Sequence, residues 1–450
     1  MRTSARTVLL TLLGAGVTAV ACHSAPPLPP PVVVPLTDSA VAALQWVRSH
    51  ATPIAIGDSV PRSAERASFV ALAGDARVVG ISELTEGTRE FPTIVRHLLL
   101  SLVDSAGVRG LAIQASMADA MEVNRYVRTG TGDPRRLLHR LNSWRWETNE
   151  MVALVNAMRE WNRTHGSDKQ IGFYGFEIPT AEHAVEVVNS LPDSIAGAPL
   201  KGWFRREYGC VLTDESARFG REGRASDSTF WRHCGIVVNQ AVDSLAALRQ
   251  RVGAARGAQL DYIEEMARLI QHHVTTGLRY LTRQDANAEH VLYLANMLGT
   301  DAKLVAWGGD VEMGRLALDT VTVQTGVALA ARLGARYRTM AFLFGDGTVR
   351  ARPGGFSRNG QPLDLTSVTV LPPAHNTYED VLSRAQMSAF VVDLRALPTD
   401  MAGGWLRGPR RARLITELYS PLAPAQFETP LEFPKFFDGL VFVRTVSAAK

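Results

Sequence analysis

Residues 76–107 read "ARVVGISELTEGTREFPTIVRHLLLSLVDSAG" and change character twice. The opening "ARVVGIS" (76–82) is an apolar, β-branched run of strand length, which predicts a short buried strand. From Phe91 the apolar residues recur at helical spacing as far as Gly107, predicting an amphipathic helix with glycine at its end. Between the two, Glu83, Glu86, Arg89 and Glu90 crowd charge around Gly87. A strand that hands over to a helix through such a turn is the unit of a parallel α/β sheet, and ligands gather beyond the carboxyl ends of those strands.

Working outward, the same unit recurs. "VRGLAIQAS" (108–116) and "QIGFYGFEI" (170–178) read as strands, separated by the helical stretches "MADAMEVNRYVRTG" and "TNEMVALVNAMREWNRTHG". After a helical middle, strands resume at 302–309, 337–347, 388–395 and 437–444, and "GDG" (345–347) reads as a tight turn. The expected fold is α/β: a mostly parallel sheet flanked by helices, with a helical insertion at about 181–300. No linker divides residues 38–450, so one domain is expected there.

The first 22 residues carry Arg2 and Arg6, an apolar run from Val8 to Ala21, then Cys22, the layout of an export signal too short to span a membrane. Cys22 directly after "AVA" resembles a bacterial lipoprotein cleavage site, and the proline-rich residues 23–37 suit a tether. The expected location is therefore the bacterial cell envelope, with the membrane reached through a lipid anchor. In that oxidising setting Cys210 and Cys234 are expected to pair across the Gly/Ser-rich loop between them. A net charge of +4 over 450 residues is mild. The basic run "LRGPRRARL" (406–414) lacks interleaved aromatics and reads as a solvated helix start, so no nucleic-acid partner is expected.

The strand ends collect Ser82, Glu83, Glu86, Gln114, Glu177, Asp310 and Glu312. Glu83, Glu86, Asp310 and Glu312 are the candidate catalytic set. Crowded carboxylates raise one another's pKa and yield a general base, or they recruit a divalent cation, which all-oxygen ligation would make Ca²⁺, Mg²⁺ or Mn²⁺. The sequence demands no cofactor. It contains no G-x-S-x-G elbow, Walker loop, H-E-x-x-H or dinucleotide fingerprint.

Six segments together carry a resemblance: "GTREF" (87–91), "VNRYV" (123–127), "SWRWETNEMVALVNAMREWN" (143–162), "FYGFE" (173–177), "LVAWGGDVEMGR" (304–315) and "PPAHNTYEDVL" (372–382). The chain from about residue 40 to 446 resembles the erythromycin esterase family. The resemblance implies hydrolysis of a macrolide lactone ester by activated water, with a small molecule or ester as partner. It also implies histidine at two motifs, Gly-Glu-x-x-His-Gly and Trp-Ala-His-Asn-x-His. Here these read Ser82-Glu83-Leu84-Thr85-Glu86-Gly87 and Trp307-Gly308-Gly309-Asp310-Val311-Glu312, so Glu86, Gly309 and Glu312 stand where the family has histidine. Gln114 stands for a usual Glu, and Glu177 for a usual Asp. A carboxylate starts about two pKa units below imidazole and is the weaker base. The expectation is a cleft that binds a ligand without the histidine mechanism, or an altered carboxylate- or metal-dependent hydrolase. Arg89, Gln114, Trp144, Trp146, Glu177 and Arg283 are its candidate lining.

The N-terminal reading predicts membrane-fraction protein, cleaved before Cys22 and lipidated there. Metabolic labelling with a fatty acid should mark the wild type and leave Cys22→Ser unlabelled; equal labelling would refute it.

Overall fold

The computed structural model describes residues 34–57, 61–177, 181–212, 228–252, 257–279, 283–318, 323–354 and 363–450; Cys22 and its surroundings lie outside them. Among these residues the strands are β1 (Thr52–Pro53), β2 (Val78–Glu83), β3 (Val108–Ser116), β4 (Gly172–Glu177), β5 (Lys303–Gly309), β6 (Tyr337–Pro353), β7 (Thr366–Val370), β8 (Ala389–Asp393), β9 (Arg410–Arg413), β10 (Leu418–Tyr419), β11 (Glu428–Leu431) and β12 (Gly439–Val446).

All six residues of β2 are buried, because the strand lies inside the sheet with helices over both faces. Alternation along the strands sorts the core. Val79, Ile81, Leu111, Ile113, Val305 and Trp307 face one layer, with Phe69, Leu98 and Met151 from helices Ser63–Ala73, Glu90–Ser105 and Asn149–Thr164. Val78, Ala112, Leu304 and Ala306 face the other, where the insertion supplies Val188, Leu245 and Ile263.

The sheet runs β1-β8-β12-β6-β2-β5-β3-β4. From β12 to β4 every neighbour pair is parallel, while β8 is antiparallel to β12 and β1 antiparallel to β8. Residues 36–450 form one compact unit.

Two expectations need correcting. "GDG" lies inside β6, which continues to Pro353 and pairs with β7 and β10 through its extension. Gly347 has φ +130° and sits against the Val446 carbonyl, so the glycines permit close approach of β12 rather than a turn. "LRGPRRARL" spans the end of helix Met401–Arg407 and β9, and its last arginine is buried: Arg413 donates to Leu371 O and Phe344 O and faces Glu379 at 3.7 Å.

In the insertion, Cys210 and Cys234 are joined as a disulfide with Cα atoms 5.7 Å apart, closing a sequence separation of 24 residues. Chain-entropy loss from such a loop stabilises by about 3 kcal/mol. Reduction, or Cys210→Ser with Cys234→Ser, should lower the denaturant midpoint accordingly; an unchanged midpoint would show that the link contributes nothing.

Candidate active site

The turn after β2 is held from three sides. Glu86 N donates to Ile415 O at 2.8 Å, Arg350 N in the β6 extension donates to Gly87 O at 2.9 Å, and Ala449 N donates to the same carbonyl at 3.0 Å. Gly87 has φ +78°, and a Cβ there would strike the Arg350 carbonyl, so glycine is required. The long β6 thereby fixes the direction in which Glu86 leaves the backbone.

Glu83 ends β2 opposite Gly309, and Glu86 reaches across to the same glycine. Between the two carboxyls lies Arg145. Its Nε is 3.3 Å from Glu86 Oε1 and its Nη2 is 3.9 Å from Glu83 Oε2. Its guanidinium stacks over the Trp146 ring at 4.4 Å, and Nη1 donates to Gln114 Oε1 at 3.2 Å. Gln114 Oε1 also accepts from Gly309 N at 3.0 Å, while its Nε2 donates to Glu177 Oε1 at 3.2 Å. An amide alone serves both neighbours: its oxygen meets donors and its nitrogen meets a carboxylate, where a glutamate would confront Glu177 with like charge.

Glu312 lies one turn beyond β5. Its N–H donates to Gly309 O at 3.0 Å, its carboxylate accepts from the Thr325 hydroxyl, and a Cβ on Gly308 would stand 3.0 Å from its own Cβ. Asp310 takes a left-handed φ of 49°, and its carboxylate accepts from Val311 N at 2.8 Å.

Burial dominates the electrostatics. It pushes Glu83 up to about 8 against the opposing pull of Arg145, with Glu86 adding like charge. Glu86 is raised by burial, lowered by Arg145, and raised again by Asp310 and Glu417. Burial lifts Glu312 to about 7, with Glu177 and Asp310 adding to the rise and Thr325 opposing it. Asp310 is raised for the same primary reason.

Comparison with known proteins gives this geometry a context. The erythromycin esterase family model matches residues 103–446. The chain belongs to the erythromycin esterase family. Among solved structures it is similar to a Bacillus cereus protein, at 19% identity and TM-score 0.72 over 92% of this chain and 99% of that one. A structure titled as a succinoglycan biosynthesis protein gives 18% identity and TM-score 0.71, covering 92% and 100% of the two chains. A histidine mutant of the erythromycin esterase EreC in its open conformation gives 15% identity and TM-score 0.57, covering 89% and 98%. At these identities the likeness is one of fold.

On that family fold, the expected residues divide. Glu83, Glu86 and Gln114 converge on Arg145, and Gln114 links them to Glu177; Asp310 and Glu312 follow directly after Gly309. Trp144 is half-buried and packs beside Gly87. Trp146 does not line the cleft: it is 1% exposed, edge-on to Trp307 at 4.8 Å, and donates to Gln114 O, forming the floor beneath Arg145. Arg89 is also outside the cluster: its side chain is about half exposed and pairs with Glu150 at 3.8 Å, while its backbone N–H and the Glu90 carboxylate hold Ser447. Arg283 begins helix Arg283–Met297, and its side chain lies outside the described residues. His375 pairs with Asp380 at 3.2 Å, at the start of helix Tyr378–Ser383. Among the described residues no group of three or more His, Cys, Asp or Glu is arranged to hold a metal ion.

Arg145 is the residue that the sequence reading missed. It sits in a turn, where no periodicity directs its side chain, between two tryptophans that drew attention instead. The available signal was the need of buried acids for a cation.

Two outcomes follow. Glu83 and Glu312 titrate higher when folded than their ordinary 4.5, so the native state keeps protons that the unfolded chain has released. Their contribution is full below about pH 4.5 and is lost as pH rises through about 7 and 8. Thermal melts should therefore fall across that window, and Glu83→Gln should flatten the fall; an unchanged slope would contradict it. Separately, a Cβ on residue 309 would overlap Glu86 Oε1 and lie 2.8 Å from Arg145 Nη1. Gly309→Ala should push the Glu86 carboxyl and the Arg145 tip aside at small cost, and its effect should be non-additive with that of Glu86→Ala; simple additivity would contradict the overlap.

Proposed function

We propose that this chain is an exported, lipid-anchored member of its family that binds a small molecule in the acid cluster without the family's histidine-dependent ester hydrolysis. One observation carries this reading: the Arg145 guanidinium lies between Glu83 and Glu86, against the bare Gly309. In the motifs that the resemblance supplies, histidine stands at 86, 309 and 312. A guanidinium stays protonated at neutral pH and accepts no proton from water, and the adjoining Glu86 lies in an ion pair.

A second reading has its own support. Burial raises Glu83 to about 8 and Glu312 to about 7, so both carboxyls titrate near neutral pH. Carboxyls lifted into that range suit proton transfer in ester or lactone hydrolysis.

A panel of macrolides, simple lactones and aryl esters, assayed at pH 6–9 with and without divalent metals, separates the two. The binding reading expects thermal-shift or calorimetric binding of a panel member with no turnover above buffer, and Glu86→His still inactive because residue 309 remains glycine. Turnover by the wild type that Glu312→Gln abolishes would replace it with the carboxylate hydrolase.

A further inference from the structure

On the sheet face covered by the insertion, a groove of about 790 Å³ runs along helix Met117–Thr129, between helices Glu182–Asn189 and Gly257–Arg279. Its volume falls within the ~300–1,000 Å³ common for small-molecule sites. It is separate from the acid cluster, since neither Arg145, Gln114 nor the cluster's carboxyls line it.

The lining is divided by chemistry. Half-buried Val187, with Met121 and Ile263 each 3% exposed, forms an apolar base beside the polar Asn124, Thr129 and Ser190, and Arg125 and Arg128 stand at the exposed rim. The two arginines are three apart on one helix, hence on one face. Among the described residues neither guanidinium lies within ion-pair distance of a carboxylate. Arg125 rests 6.0 Å over the Tyr262 ring.

The groove's acids are engaged elsewhere. Glu122 faces His183 Nε2 at 3.7 Å and accepts from Tyr262 Oη at 2.6 Å, and His183, then Tyr262, with the charge of nearby Arg125, hold its carboxyl down to about 2 against burial. His183 in turn meets Arg140 Nη2 at 3.0 Å. Glu122 is thus ionised and tied into the wall; Glu265 also has a partner of its own. What remains for a ligand is a pair of guanidiniums beside that apolar base.

We infer that this groove binds a single-chain amphipathic anion, its head group held by Arg125 and Arg128 and its hydrocarbon chain laid along Met121, Val187 and Ile263. Guanidinium forks suit carboxylate and phosphate heads alike.

Calorimetric titration of the purified full-length protein tests this with decanoate and decyl phosphate, each below its micellar concentration. Saturable binding of either supports the site, and their ratio tells which head is preferred. Arg125→Gln with Arg128→Gln should weaken binding by about tenfold or more while leaving the melting curve unchanged, as both side chains are exposed. Val187→Asp should weaken it through the apolar base, whereas Glu86→Gln, in the acid cluster, should not. Absence of binding, retained affinity in the double arginine variant, equal binding of decyltrimethylammonium, or equal binding of inorganic phosphate alone would each overturn the proposal.

Discussion

One guanidinium holds the strand ends of this protein together. Burying a carboxylate without compensation costs several kcal/mol, and here Glu83 and Glu86 are both buried within reach of the same side chain. The surroundings of Arg145 follow from that need. Trp146 supplies a ring beneath the cation, Gln114 accepts from Nη1, and Gly309 leaves the space into which the Glu86 carboxylate extends. Even the length of β6 belongs to this arrangement, because its extension pins the turn that carries Glu86.

The pair is only partly compensated. Arg145 pulls the neighbouring carboxyls down, yet burial still lifts Glu83 to about 8. Geometry explains the shortfall: the Arg145–Glu83 approach is 3.9 Å, too long for a hydrogen bond, and Arg145 Nε and Nη2 have no hydrogen-bond partner.

How much of this was legible depends on what kind of signal each residue leaves. β2, β3, β4 and β5 were readable because strands buried on both faces must be apolar throughout, and the acids were readable because they follow those runs directly. The antiparallel direction of β8 leaves no mark in its own composition. "GDG" misleads because glycine serves close strand approach as readily as turning, and "LRGPRRARL" because Arg413 is buried through carbonyl partners and Glu379, all far away in sequence. Trp146 reads as lining in the sequence, yet an aromatic beside a site can equally be its floor. Arg145 is the extreme case: its role exists only in relation to Glu83, Glu86 and Gln114, none of which is near it in the chain.

That relation also ties the turn after β2 to the turn after β5. Any residue at 309 other than glycine brings a Cβ, and a Cβ there overlaps the Glu86 carboxylate. Glu86 in its present position occupies the space that glycine leaves at 309, and the Arg145 guanidinium lies against both. Residues 86, 309 and 145 form a single packing and charge unit, so a substitution at any one of them is felt by the other two. The apolar layers on either face of the sheet are built apart from that unit, since the charged side chains at the strand ends do not enter them.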